Sequence, residues 1–338
     1  MVALAKNVVT PLRKRRRVMA GMRPTGRLHV GHWLGALQNF VALSDQADCF
    51  YEVADLHALT TKFESSAEIA DDVREMVTDW LAAGLNPNAC TIYVQSQIPE
   101  ISEMYTLLSM ITPVSWLERV PTYKDQINAL GSEIATHGFL GYPILQTVDI
   151  AIMRGQLVPV GQDQVPHLEL SREIIRRFNN TYGAVLVEPE PLLSQTPLVP
   201  GTDGRKMSKS YHNSILLADS DDETAAKVKT MFTDPEKVHK SDPGHPETCP
   251  VFFFQRIFNA GAADDIAQRC RTGKLGCVED KADMVRHLNA ALAPIRERRR
   301  EIAANPATVD EVLVEGTRRA QAVAKSTLAD VKAAMGLI

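Results

Sequence analysis

The 338-residue sequence predicts an α/β fold: a parallel sheet covered by helices, then a strand-free helical region. Three observations lead there. Over residues 18–115, short apolar runs rich in β-formers alternate with stretches whose apolar residues recur at helical spacing, the pattern of βαβ units. After about residue 213 no strand-like run recurs and only the helical period remains. The composition, 45% hydrophobic and 23% charged, is that of a globular chain long enough for one or two cores.

Residues 18–22 read as the first strand. Arg23-Pro24-Thr25-Gly26 breaks it, because Pro fixes φ and Gly permits positive φ. From Val30 onward Trp33, Leu34, Leu37, Phe40 and Val41 fall at helical spacing. Residues 49–55 form an apolar strand that ends in polar residues. Residues 71–83 put Val73, Met76, Val77, Trp80 and Leu81 on one helix face, and Gly84 stops them. Residues 91–95 are a third strand. Pro143 suits a helix's first turn, and Tyr142, Gln146 and Asp149, four and three apart, share that helix's polar face. Residues 157–160 alternate and turn at Gly161. The helix at 165–178 carries Arg172, Arg176 and Arg177, read as a solvated face. Beyond it helices are expected over 219–232, 251–260, 264–271, 280–303 and 308–335, with a polar loop at 233–250. In parallel sheets ligands bind beyond the carboxyl ends of the strands. Asp55, His57 and Gln95 therefore lie near one pocket.

No apolar run reaches the roughly 20 residues that span a bilayer, so no membrane role is expected. The basic start leads into no secretory h-region, and a cytoplasmic location is the expectation. With a net charge of −4, any nucleic acid must be met by local basic patches. The five cysteines include no Cys-x-x-Cys pair, which points to free thiols and to no metal centre. The block ending at Arg17 reads as a disordered extension over 1–17, either plainly solvated or brushing RNA phosphates. Arg296, Arg298, Arg299 and Arg300 form a second basic cluster. It is either a solvated face or a phosphate contact.

Two stretches carry chemistry. His29-Val30-Gly31-His32 opens a helix, where free N–H groups and the helix dipole suit phosphate. Two histidines there can be surface residues, or can each donate to a phosphate on which charge develops. Pro200 to Ser210, with Gly201 and Gly204, puts two lysines three apart on a mobile loop. That is either a solvated basic turn or a grip on a triphosphate whose pyrophosphate leaves.

Together these stretches resemble the two signatures of the class I aminoacyl-tRNA synthetases: His29-Val30-Gly31-His32 and Lys206-Met207-Ser208-Lys209-Ser210, in that order. Pro-Thr-Gly-Arg-Leu-His, Val-Pro-Val-Gly-Gln-Asp-Gln and Arg-Arg-Phe-Asn around them resemble the tryptophanyl-tRNA synthetases, over nearly the whole chain from Val18.

The resemblance implies a Rossmann-like catalytic domain over 18–212 and an α-helical tRNA (anticodon)-binding domain over 213–338. It implies a homodimer that activates L-tryptophan with ATP and Mg2+ and transfers it to tRNA(Trp). His29, His32, Lys206 and Lys209 would be catalytic. ATP would be held by Arg23, Pro24, Thr25, Gly31, His32, Gly161, Gln162, Asp163, Val199, Lys206, Met207, Ser208, Lys209 and Ser210. Lys124 would lie near its phosphates. Tryptophan would be held by Tyr142, Gln146, His57 and Asp149, the last accepting the indole N–H, which can only donate. Arg23 stands where the family commonly has Gln, and Gln146 where many members have Met. Tyr-x-x-x-Gln-x-x-Asp also fits the tyrosyl-tRNA synthetases, which are the nearest rival. A non-catalytic, RNA-binding relative is the rival from another class, although both signatures are intact here.

Overall fold

The computed structural model describes residues 16–120, 123–124, 127, 131–193 and 198–337. Arg13, Lys14 and Arg15 of the basic block lie outside them. The extension expected over 1–17 is corrected at its end. Arg17 opens strand β1 (Arg17–Met22), pairs with Asp48 at 2.7 Å and lies over the Phe50 ring. Arg16 pairs with Glu190 at 2.9 Å.

Among the described residues the sheet has five parallel strands: β1, β2 (Asp48–Val53), β3 (Cys90–Val94), β4 (Leu157–Val160) and β5 (Glu190–Leu193). Their order is β3-β2-β1-β4-β5, the Rossmann-like arrangement expected. The order reverses between β1 and β4, and the loops after those two strands flank the crevice where such sheets take ligands. β5 was not foreseen. It is four residues long with Pro191 inside, which suits an edge strand because Pro cannot donate to a ladder on both sides.

One face of the sheet is covered by the helix that begins at Val30, which widens into a π turn over Trp33–Leu37, and by helix Ile69–Ala82. The other face is covered by helices Pro99–Ser109, Tyr142–Ile152 and Val165–Tyr182. The helix expected over 165–178 therefore runs four residues further. Its arginines are not simply solvated. Arg172 and Arg176 pair with Glu188, and Arg177 lies over the Trp116 ring.

The region after 213 is helical, as expected: Asp221–Lys229, Pro250–Phe258, Ala263–Arg271, Cys277–Ala304 and Ala307–Ala334. The first of these is shorter than the 219–232 expected. Ser220 accepts from Glu223 N–H while Glu223 accepts from Ser220 N–H, a capping box that sets its start. The helical region shares the core of the α/β part. Phe254, Met284, Leu288, Leu292 and Leu313 join the cluster on one sheet face. Ala320, Ala324, Leu328 and Val331 join the cluster on the other. The last helix closes the β3 edge so tightly that a Cβ built at Gly316 would lie 1.7 Å from Ile92 O, and only glycine allows that approach.

The basic cluster is corrected here. Arg299 is half-buried and pairs with the buried Asp79 at 2.7 Å and also with Glu75. Arg298 Nε donates to Ala82 O at 2.6 Å, and Arg296 Nη2 donates to Thr224 Oγ1 at 2.7 Å and pairs with Asp221. Arg298 and Arg300 are both exposed, and Arg300 pairs with Glu297. Arg298 and Arg299 bind the helical region to the α/β part, and Arg296 ties two helices of the helical region together, so the four do not form one free face for tRNA phosphates.

Asp79 is fully buried, and burial pushes its carboxyl up while Arg299 and the Leu28 N–H pull it back down. Arg299→Ala would strand that carboxylate. The expected loss is about 3–5 kcal/mol of stability, as for other buried pairs that lose one partner. Urea unfolding checks this against Arg300→Ala, for which little change is expected.

Candidate active site

The two signature stretches meet through a short antiparallel pairing. Val30 N–H donates to Ile215 O and Leu217 N–H donates to Leu28 O, both at 2.9 Å, with His29 opposite Leu216. Leu28, Val30, Ile215 and Leu217 are all fully buried, so hydrophobic burial fixes the register. Asp79 Oδ2 accepts from Leu28 N–H at 2.6 Å on the other side.

His29 and His32 stack with ring centroids 3.6 Å apart. Each caps the other's backbone. His29 Nδ1 accepts from His32 N–H at 3.2 Å, and His32 Nδ1 accepts from His29 N–H at 3.3 Å. With Nδ1 accepting, a neutral imidazole carries its proton on Nε2, so both rings offer an Nε2–H donor. Both are also held neutral. Burial first, then His32, Lys209 and Lys206, lower His29 to about 3. Burial, then Lys209 and Lys206, lower His32 to about 4. Gly31 is needed between them, since a Cβ there would lie 2.9 Å from the His29 ring.

The Lys206–Ser210 loop is built on Asn213, which is 1% exposed. Asn213 Oδ1 accepts from Ser208 N–H at 2.7 Å, and its Nδ2 donates to Asp203 Oδ1 at 2.7 Å and Lys206 O at 3.1 Å. Met207 N–H donates to Val199 O at 2.9 Å, and both side chains are buried. Lys206 and Ser210 are exposed and Ser208 is half-buried. Lys209 is half-buried, and its Nζ donates to Thr25 O and, at 2.9 Å, to Arg27 O. Pro24 is buried, and exposed Arg23 donates to Thr61 Oγ1. Gly161 and Gln162 turn away from the end of β4 at the far side of the crevice. The side chain of Asp163 lies outside the described residues. Lys124 is exposed.

Asp149 is 3% exposed on helix Tyr142–Ile152. Gln95, fully buried just after β3, donates from Nε2 to both carboxylate oxygens at 2.9 and 3.0 Å. Its Oε1 accepts from Leu56 N–H at 3.1 Å and His57 N–H at 3.3 Å, so the amide cannot turn over. His57 Nε2 meets Asp149 Oδ2 at 3.0 Å. Tyr142 and Gln146 are half-buried on the same helix face, and Tyr142 Oη meets His167 Nε2 at 3.0 Å. His167 Nδ1 meets Gln164 Oε1 at 2.9 Å.

The structure brings the His29–His32 turn and the Lys206–Ser210 loop together after β1 and joins Asp149 to Gln95 and His57 after β3 and β2, while Gly161 and Gln162 follow β4. The expected set placed Gln95 near the pocket without a role and omitted Glu52, Asp79, Asn213 and His167. Gln95 and Glu52 carried signals: a polar residue directly after a strand, and a lone carboxylate within an apolar run. An apolar groove of 440 Å³ lined by Leu56, Leu59, Phe63, Tyr105 and Leu145 runs alongside, and none of the expected site residues lines it.

The family model described as "tRNA synthetases class I (W and Y)" matches residues 11–293. A tryptophan--tRNA ligase from Thermotoga maritima is 46% identical, covering 95% of this chain and 99% of the relative. One from Aquifex aeolicus is 41% identical, over 95% of this chain and 100% of the relative. The solved tryptophanyl-tRNA synthetase from Campylobacter jejuni, complexed with ADP and tryptophan, superposes with a TM-score of 0.86 at 30% identity, over 95% of this chain and 100% of that one. A tyrosyl-tRNA synthetase from Archaeoglobus fulgidus shares the fold at TM-score 0.65 and 22% identity, over 84% of this chain and 90% of that one.

The depressed histidines set an acid limit. Unfolding frees both imidazoles to ionise at about 6.5, so the unfolded chain binds more protons below that pH. Their contribution to stability is full above it and is lost as pH falls toward about 4 and 3. Thermal melts of the ligand-free protein should fall from about pH 6.5 downward, and His29→Gln with His32→Gln should flatten that fall.

Proposed function

The chain belongs to the class I tRNA synthetases for tryptophan and tyrosine, and on that premise we infer that it is a tryptophan-activating enzyme. It joins L-tryptophan to ATP as tryptophanyl-adenylate and passes the tryptophanyl group to tRNA. The observation that carries this is the pairing of Leu28–Val30 with Ile215–Leu217, which sets two neutral histidine donors beside two lysines. A neutral N–H and an ammonium are what a departing pyrophosphate needs.

No side-chain nucleophile is required. A carboxylate oxygen of tryptophan attacks the α-phosphorus, a new O–P bond forms, and the bond to pyrophosphate breaks. His29 and His32 donate from Nε2 to phosphate oxygens as charge builds on them. Lys206 and Lys209 follow that charge onto the leaving group. Lys209 rests on the carbonyls of Thr25 and Arg27, so it must leave them, and its loop must shift, to reach phosphate. In the second step a ribose hydroxyl of the tRNA attacks the acyl carbon, AMP departs with the electrons of the acyl–oxygen bond, and the hydroxyl proton passes to a phosphate oxygen of the departing AMP.

Magnesium arrives as part of Mg–ATP. Among the described residues no group of three or more metal-ligating side chains is assembled, and the phosphates supply its oxygen ligands. Arg23, Pro24, Thr25, Gly31, Gly161, Gln162, Asp163, Val199, Met207, Ser208 and Ser210 complete the proposed ATP site. Tyr142, Gln146 and His57 flank Asp149, whose buried carboxylate accepts the indole N–H. The relatives' names favour tryptophan. A phenol is also a donor and would suit Asp149 too. Region 213–338 is the proposed tRNA-contacting part, acting through surfaces other than the Arg296–Arg300 cluster. A homodimer is proposed with it, supported by the exposed apolar side chains of Met110 and Val114. A cytoplasmic site of action fits a chain in which no described helix is long and apolar enough to cross a membrane.

Amino-acid-dependent ATP–pyrophosphate exchange tests the reading. Wild type should exchange with tryptophan far better than with tyrosine, and Asp149→Ala should raise the tryptophan KM about 10-fold or more while the ATP KM stays close to normal. A preference for tyrosine would reassign the substrate. An unchanged KM would move the pocket elsewhere.

Lys209→Ala should cost roughly 10²-fold or more in exchange kcat with little change in tryptophan KM, because its charge is needed in the transition state. Steady-state exchange at saturating ATP reads both constants.

A further inference from the structure

Glu52 lies in the middle of the sheet and is 1% exposed. It sits in one rung with Gly21 of β1 and Tyr93 of β3. Side chains in one rung leave the same face of a sheet, and Tyr93 belongs to the core under helix Tyr142–Ile152. Glu52 therefore points at that helix, where it meets Asp149 within hydrogen-bonding reach. Tyr93 Oη donates to Glu52 Oε2 at 2.9 Å. On the pocket side stands Gly21, exposed and without a side chain, where a Cβ would lie 3.4 Å from Glu52 Oε1.

The groups facing Glu52 are Asp149, Asp55 and Tyr93, with His57 and Gln95 beyond Asp149. Two touching carboxylates in such a place cannot both ionise. The donors decide which one does. Asp149 has the Gln95 amide and the His57 imidazole on it, whereas Glu52 has the Tyr93 phenol and the full cost of burial. Burial, then the Asp149 charge, pushes Glu52 well above the usual carboxylate range.

We propose that Glu52 is a positioning residue for the amino-acid site, an inference that rests on the placement of the substrate at Asp149: the two acids share one proton, and the pair keeps Asp149 charged and aimed at the N–H of the incoming side chain. Glu52 carries the proton and donates it toward Asp149. A carboxylate offers about four lone-pair directions. Gln95 straddling both oxygens, His57 and Glu52 take three, and the substrate takes the fourth. The indole is thus read by one acceptor whose other directions are all filled, which removes water as a competitor.

The test is exchange with tryptophan on full-length Glu52→Leu and Glu52→Gln, from about pH 7 to about pH 9.5, around the titration of ordinary amines, with melts to confirm folding. Glu52→Leu should raise the tryptophan KM about 10-fold or more and leave the ATP KM nearly unchanged. Glu52→Gln should restore most of the loss, because its amide accepts from Tyr93 and donates to Asp149. The Glu52→Gln to wild-type KM ratio should fall as pH rises, since only the wild-type pair can lose its proton. The titration of free tryptophan is common to both and cancels. Glu52→Gln as poor as Glu52→Leu, an unchanged KM in Glu52→Leu, or a ratio that rises with pH each overturns the proposal. If Glu52→Leu does not fold, infrared spectra decide. Wild type at pH 7 should show a buried carboxylic-acid band that Glu52→Gln lacks, and its absence overturns the proposal. Failure of the pocket itself is separate. It appears as an unchanged tryptophan KM in Asp149→Ala, or as a wild-type preference for tyrosine, whatever Glu52 does.

Discussion

The site depends first on two backbone hydrogen bonds and four buried side chains. Leu28 and Val30 pair with Leu217 and Ile215, and nearly two hundred residues lie between the partners. Without that pairing the histidine turn and the lysine loop are two unrelated surface segments. Its position is held from behind by Asp79, which accepts from Leu28 N–H and is held in turn by Arg299 of the long helix Cys277–Ala304. A chain of contacts thus runs from the helical region, through a buried ion pair, to the loop that would meet ATP. The helical region is part of the active site's scaffold as well as a candidate surface for RNA.

A second theme is how charge is rationed near the phosphates. The histidines are kept neutral by burial and by neighbouring cations. They supply donors whose direction is fixed by mutual capping, and Lys206 and Lys209 supply positive charge. Neutral donors of fixed tautomer cost no reorganisation as the transition state forms. The amino-acid side of the crevice carries the opposite load. Glu52, Asp55 and Asp149 gather there, and Gln95 is locked by backbone N–H groups so that its amide can face only Asp149.

Much of the fold was legible. The alternation of residues 18–115 pointed to the parallel sheet, and the loss of strand signals after 213 pointed to the helical region. Capping chemistry at Ser220 and Glu223 marked a helix start. β5 was not legible, because Glu190-Pro191-Leu192-Leu193 does not alternate and none of its residues is buried. The site's lettered stretches were legible from residue types and order. The role of Arg296, Arg298 and Arg299 was not. A basic helix face reads the same whether it meets water, RNA phosphate or buried carboxylates, and the partners Asp79, Glu75 and Asp221 stand far away in the sequence.

The sequence by itself determined the elements, the parallel sheet, the helix-opening histidines and the paired lysines, because periodicity, turn residues and motif spacing are local properties. Only the tertiary structure decided which acids are buried side by side, which arginines are paired with remote carboxylates, and which strand ends share a pocket. Those outcomes turn on distances and burial between residues remote along the chain. Glu52 shows the difference: along the sequence it is one charged residue in an apolar strand, and in the fold it lies against Asp149.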